Sequence, residues 1–137
     1  MSAPDEVVTM RIEYLADHPE HIPALARWFY AHWGWFLPPE SSSETIADKF
    51  RIHLNRDALP IALVALDGDE LLGTASLRVL DMDVFTDSTP WLGGVYVAPA
   101  HRRKGIGRRL VGAVEQKARE CGYPSIHLFT FTRLPFT

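Results

Sequence analysis

Arg102-Arg103-Lys104-Gly105-Ile106-Gly107 stands where an apolar run, Trp91 to Val97, gives way to a segment with helical spacing that extends to Cys121. Leu110, Val114, Ala118 and Cys121 recur every three or four residues along that segment, so it reads as an amphipathic helix. A strand is thus converted into a helix within one hexapeptide. Two glycines in such a turn let the backbone bend tightly and direct several N–H groups outward. The helix adds its unpaired first amides and the positive end of its dipole. Together they form an anion cradle, whose usual guest is phosphate. The spacing excludes two well-known phosphate loops. A P-loop has lysine directly after its second glycine, whereas Arg108 follows Gly107 and Lys104 precedes Gly105. A dinucleotide fingerprint needs a third glycine where this chain has Leu110.

What remains is R-x-x-G-x-G directly behind Val95-Tyr96-Val97-Ala98-Pro99. This combination resembles the acetyl-CoA-binding motif of the GNAT superfamily of N-acetyltransferases, [QR]-x-x-G-x-[GA]. The resemblance implies a mixed α/β fold, a central mixed sheet with helices on both faces. It also implies acetyl-CoA as cosubstrate, and acetyl transfer to a primary amine of a small molecule or peptide by direct attack in a ternary complex.

The rest of the chain orders itself around this unit. Thr9 to Ala16 alternates, with Met10, Ile12 and Tyr14 on one side, and predicts a half-buried strand. His21 to Trp33 carries Ile22, Leu25, Ala26 and Phe29 at helical spacing and ends at Gly34. After Pro38-Pro39, Ser41-x-x-Glu44 predicts a capping box for a second helix, with Ile46, Phe50 and Leu54 on one face and an end near Asn55. Pro60 to Leu66 and Leu71 to Val79 flank Asp67-Gly68-Asp69, a hairpin signature. A polar loop, Asp81 to Pro90, leads to the Trp91 strand; after the third helix, Gly122-Tyr123-Pro124 turns into a last strand, Ser125 to Thr132. The unit from 91 to 132 predicts a right-handed parallel crossover. Repeats and linkers are absent, and 137 residues suit a single domain spanning 1–137.

Composition narrows the partners. With 47% hydrophobic and 23% charged residues the chain is an ordinary globular one. No run reaches the length of a membrane span, and Met1 to Glu6 is polar and acidic, so no membrane and a cytoplasmic location are expected. The lone Cys121 excludes an internal disulfide and any cysteine-rich zinc site, and sits at an apolar helix position. Residues 1–100 carry 6 basic against 15 acidic side chains, whereas 101–137 carry 8 against 2. Such a division suits an anionic cosubstrate meeting a cationic acceptor. One short basic cluster on an acidic domain lacks the interleaved aromatics of a nucleic-acid face, so no nucleic acid is expected. His18-x-x-His21 is the nearest approach to a metal spacing and lacks partners, so no metal is expected.

Cofactor binding is expected at Val95, Tyr96, Val97, Arg102, Arg103, Lys104, Gly105, Ile106, Gly107 and Arg108. Pyrophosphate would sit on the amides from Arg103 through Arg108, amid the positive charge of the cluster and of Arg109. A Cβ at Gly105 or Gly107 would obstruct its approach. A pantetheine arm has two amides, which an exposed strand edge at Val95 to Val97 can bind as it would bind a strand. By resemblance this strand bulges and splays from the next to admit the thioester, and Gly93-Gly94 suits the bulge. A nearby strand N–H would polarise the thioester carbonyl.

Catalytic groups are unassigned. Asp81, Asp83, Asp87, His127 and Tyr96 are the candidate bases. Trp28, Tyr30, His32, Trp33, Trp35 and Phe36 lie where the family recognises its acceptor, and can either face an amine or cover the sheet. The family normally continues past the last strand with a helix, carrying a tyrosine that often protonates the leaving thiolate, and two more strands. This chain stops at Thr137 with no matching tyrosine. A truncation, a segment supplied by a partner chain, or an acyl-CoA-binding module with little turnover would each account for that, and a bare sheet edge predicts a homodimer or marginal stability.

Overall fold

Ile61–Asp67 (β2) has its first six residues buried, as a strand covered on both faces must. Its side chains divide by parity: Ile61, Leu63 and Ala65 join one apolar cluster, and Ala62, Val64 and Leu66 join another. The computed structural model describes residues 10–34, 39–78, 90–123 and 126–128. Arg11–Tyr14 (β1) pairs antiparallel with one edge of β2, and Glu70–Arg78 (β3) pairs antiparallel with the other. Between β2 and β3 the expected hairpin turn is present, with Gly68 at φ 60°. Trp91–Val97 (β4) lies antiparallel to β3, and His127–Leu128 (β5) runs parallel to β4 beside Trp91 and Leu92. The sheet order is β1-β2-β3-β4-β5, mixed as expected. The last strand is described only over those two residues, and the remainder of Ser125 to Thr132 lies outside the described residues or, at Ile126, outside the strand.

Ile106–Glu120 (α3) covers one face, burying Ile106, Leu110, Val114 and Ala118 against Leu63, Leu72, Leu77 and Leu92. Met10 joins this cluster, with Ile12 and Tyr14 packed beside it, the side on which the alternation placed them. Cys121 caps the helix rather than belonging to it, and is half-buried. Lys117 fastens the far end of α3 to β1, donating to the Tyr14 hydroxyl at 2.7 Å with its ammonium 5.0 Å from the ring centroid. On the opposite face Ile22–Trp33 (α1) and Ser43–Ile52 (α2) bury Ile22, Leu25, Ala26, Ile46, Ala47 and Phe50 against Ala62, Val64 and Leu66. Helices therefore stand on both faces.

Three boundaries differ from expectation. The first strand is shorter, because Leu15–Asp17 and Pro19–His21 form tight single turns that carry the chain into α1. The capping box uses Ser42 and Thr45 instead of Ser41 and Glu44. Ser42 Oγ accepts from Thr45 N–H at 3.2 Å, and Thr45 Oγ1 accepts from Ser42 N–H at 2.8 Å, so a threonine hydroxyl replaces the glutamate carboxylate, shifted along the chain by a single position. α2 accordingly ends at Ile52, and Leu54 packs from beyond the helix.

Leu110 is fully buried and Ser42 sits at an exposed cap. Leu110→Ala should therefore cost about 3 kcal/mol of unfolding free energy in urea titration, and Ser42→Ala about 1 kcal/mol. Equal losses would contradict the burial of α3.

Candidate active site

The β3–β4 ladder contains one irregularity: Thr74 pairs with Tyr96, but Ser76 pairs with Gly93, so β4 carries an extra residue at Gly94-Val95. Gly94 sits at φ 62°, a conformation that side chains rarely adopt, and the bulge that the resemblance implied is thus present at Gly93-Gly94. Among the described residues β4 pairs with β5 only at Trp91 and Leu92, ahead of the bulge. Ala98 N–H donates to Leu72 C=O at 2.9 Å. Antiparallel pairs alternate between bonded and non-bonded, so Val97, opposite Gly73, turns its own N–H and C=O away from β3. That edge is open.

At its end the chain makes the turn into α3. Gly105 caps the helix at φ 81° and supplies no side-chain oxygen, and the first turn contains no acidic residue. The first intrahelical bond is the one from Arg109 N–H to Gly105 C=O, at 3.1 Å, so the amides of Ile106, Gly107 and Arg108 are directed out of the helix. Arg103 too has a positive φ, 68°. Arg103, Lys104, Arg108 and Arg109 are exposed, and none has a carboxylate partner among the described residues. Four unpaired cations at the positive end of a dipole repel one another, an arrangement that an anion relieves. Arg102 behaves differently. Its Nε donates to Val97 C=O at 2.8 Å and its guanidinium lies 5.2 Å from the Tyr96 ring centroid, so it fastens the turn to the strand edge.

Edge and turn together border an open cleft of about 470 Å³. Every residue expected to hold the cofactor lines it except Lys104, whose side chain lies outside; His32 and His101 join them. A second cleft of about 380 Å³ lies between β1 and α3. Its charges are paired internally, Arg56 with Asp17 and Lys117 with Glu120, so it lacks the uncompensated sign of the first.

A family model described as Acetyltransferase (GNAT) family matches residues 22–134. The chain belongs to the GNAT acetyltransferases. No curated protein matches it. Among solved structures, this GNAT chain is similar to a predicted acetyltransferase with acetyl-CoA from Clostridium acetobutylicum, 16% identical, over 89% of this chain and 81% of that one, with a TM-score of 0.68. It is similar to the aminoglycoside N-acetyltransferase AAC(6')-Iy in complex with the bisubstrate analogue CoA-S-monomethyl-acetylneamine, 19% identical over 90% and 81%, with a TM-score of 0.69. A GCN5-related N-acetyltransferase from Ralstonia eutropha JMP134 is 23% identical over 88% and 83%, with a TM-score of 0.61. At these identities the likeness shows the GNAT fold.

In this GNAT fold the two glycines of the motif have different reasons to be there. At Gly105 the backbone demands glycine, while a Cβ would meet nothing within 4 Å. At Gly107 a Cβ would make ordinary contact with Val97 Cγ2 at 3.6 Å, so only an occupant of the cleft would object to it. The aromatic residues divide as well. Tyr96 is the hub: Trp28, Phe29, His32 and Trp33 all pack on its ring, with centroids 5.2 to 6.1 Å away. Phe29 also covers Phe50, whereas Tyr30, 45% exposed, points away from this group. Tyr96 is itself buried beneath Arg102, a packing role alongside its place on the cleft wall. Trp35, Phe36, Asp81, Asp83 and Asp87 lie outside the described residues; His127 is placed by its backbone in β5. Among the described residues no group of histidine, cysteine and carboxylate side chains could hold a metal ion, and no helix is long and apolar enough to cross a membrane.

Sequence reasoning passed over three residues on the α1–α2 side of the sheet. His53 Nε2, Ser76 Oγ and Arg78 Nε are buried without hydrogen-bond partners. His53 Nδ1 lies 2.8 Å from Lys49 C=O, which fixes the proton on Nδ1 and leaves Nε2 as a bare acceptor. Burial, together with the charge of Arg78, pulls the His53 pKa below its ordinary value against that hydrogen bond. The folded protein thus binds fewer protons at His53 than the unfolded chain does. Above the ordinary histidine range both states are neutral, and stability is lost as pH falls through about 6.5. His53→Gln should flatten the fall of Tm between about pH 6.5 and 5 in calorimetry; an unchanged slope would mean that His53 protonates freely.

Proposed function

We propose that this GNAT acetyltransferase takes acetyl-CoA in the cleft beside Val95–Val97 and transfers its acetyl group to a primary amine. The observation that carries this reading is the uncapped start of α3, where Arg103, Arg108 and three outward amides meet a strand edge in one cleft, with Lys104 and Arg109 adding positive charge from beside it. Each feature fits a different section of the molecule. Pyrophosphate suits the amides of Ile106 to Arg108 with Arg103 and Arg108 around it, and the amides of the pantetheine arm suit the N–H and C=O of Val97. Arg102 would then release Val97 C=O, and its guanidinium could turn to the phosphates. The cosubstrate supplies an activated acyl carbon.

The bulge at Gly94 would bring that carbon to the point where β4 leaves β5. The amine gives up a proton and its nitrogen lone pair forms the new C–N bond, the C–S bond breaks, and the sulfur leaves with its electron pair to be protonated. Strand N–H groups left unpaired by the bulge are suited to the oxyanion. Tyr96, with Trp28, His32 and Trp33 around it, walls the side from which an acceptor would come. Similar folds described as acetyltransferases with acetyl-CoA and with a CoA bisubstrate analogue support the choice of cosubstrate.

Gly107→Ala separates fold from function. The protein accommodates the added Cβ, and alanine favours a helix over glycine by about 1 kcal/mol, so Tm should hold or rise. Calorimetric titration should nevertheless show acetyl-CoA binding weakened by about tenfold, ~1.4 kcal/mol, because the methyl group occupies the phosphate approach. Release of free thiol from acetyl-CoA should appear with at least one member of a panel of amino acids, polyamines, aminoglycosides and peptides. Unchanged affinity in the variant would refute the cradle.

A further inference from the structure

A buried guanidinium without an anion costs several kcal/mol unless something pairs with it. Arg78, the last residue of β3, is in that condition beside the bulge. Its Nε is buried without a partner, and no carboxylate among the described residues pairs with it. The glycines of the bulge make room for it. A Cβ at Gly93 would sit 3.4 Å from Nε and 3.5 Å from Cζ, and one at Gly94 would overlap Nη2 outright, so the guanidinium lies flat across both residues. Phe29 closes the same spot, 3.4 Å from the Cβ position of Gly94. Ser76, two residues earlier on the same face, adds a second buried donor with no acceptor. His53, a titratable neighbour, offers a lone pair but no negative charge, and burial, with a smaller contribution from Arg78, disfavours its protonated form. Arg78 as a whole keeps partial exposure, so the residue is not sealed off from solvent.

We infer that Arg78 receives a carboxylate on the acceptor, and that the amine acetylated by this protein is an amino acid or a similarly short amino-carboxylate. The inference rests on the proposed transfer at the bulge and names the acceptor class for it. A guanidinium binds carboxylate through two parallel N–H bonds. Because Arg78 touches the very residues at which β4 leaves β5, a carboxylate held there lies close to the acyl carbon. That admits only a few bonds between carboxylate and nitrogen. The aromatic residues around Tyr96 and Phe29 then border the acceptor's side chain. A polycationic acceptor would instead bring its charges against Arg78, so this fold's likeness to aminoglycoside acetyltransferases does not extend to their substrate.

The test uses N-acetylglycine and N-acetylphenylalanine, the products of two such acceptors, each beside its neutral primary amide. All four are titrated calorimetrically into the protein, with and without saturating coenzyme A, and into Arg78→Gln and Arg78→Lys. At least one acid should bind the native protein about tenfold or more tightly than its amide. Arg78→Gln should erase that preference and Arg78→Lys retain some of it, with coenzyme A affinity the same in all three proteins. Rates of thiol release with glycine, phenylalanine and their amides should follow the same order. Acid and amide binding equally to the native protein, or a preference that survives Arg78→Gln, would overturn the assignment. Loss of coenzyme A binding in the native protein would refute the acetyl-CoA reading on its own arm, while the acid-to-amide ratio measured without coenzyme A would still decide the role of Arg78.

Discussion

The single extra residue in β4 at Gly94 is the constraint on which the rest of the site depends. On one side of it β4 is an interior strand, paired to β3 through Trp91, Leu92 and Gly93 and to β5 through Trp91 and Leu92. On the other side it becomes an edge whose Val97 N–H and C=O face outward, and it delivers the chain to the start of α3. A side chain at Gly94 would be strained at φ 62° and would collide with Arg78. The bulge therefore couples three features of separate origin in the sequence: an open edge, a cationic turn and a buried arginine.

The core that supports this arrangement is conventional, and its ordinariness fixes the site. Leu110 and Val114 anchor α3 to β2, β3 and β4 with no exposure, which sets where the first turn of the helix projects its amides. α1 and α2 do the same on the other face through Leu25 and Phe50, bringing Phe29 to the bulge and Trp28 and His32 to Tyr96. Each face of one strand thus carries a different half of the proposed chemistry, with cosubstrate beside the α3 turn and acceptor beneath the two N-terminal helices. Electrostatics repeats the division. The cations of the turn are exposed and suit a mobile polyanion, whereas Arg78 is half-buried with its Nε enclosed and suits a single small carboxylate.

Much of this was legible in the residues. Alternation located β1, apolar runs located β2, β3 and β4, and period-3.6 spacing located the helices, because the middle strands are covered and each helix buries one face against the sheet. R-x-x-G-x-G behind V-x-V-x-P pointed to the strand edge and helix start that border the cleft, since a strand, a glycine turn and a helix start are all local features of sequence. The capping box moved by one residue because Thr45 Oγ1 serves as well as a carboxylate for a backbone N–H. The bond from Arg102 to Val97 C=O could not be read from the motif, as it arises only once the turn folds back on the strand. Arg78, Ser76 and His53 left no local signal at all. Their character comes from burial, which for Ser76 and Arg78 depends on a neighbouring strand and on helices far earlier in the chain.

Amide hydrogen exchange with and without coenzyme A would test the central claim most directly, because the site consists largely of backbone N–H groups. Exchange should slow on binding at Val97 and at Ile106, Gly107 and Arg108, while the paired amides of β2 and the middle of α3 stay as they were. Protection that falls elsewhere, or none at the start of α3 at saturating coenzyme A, would contradict the assignment of this cleft.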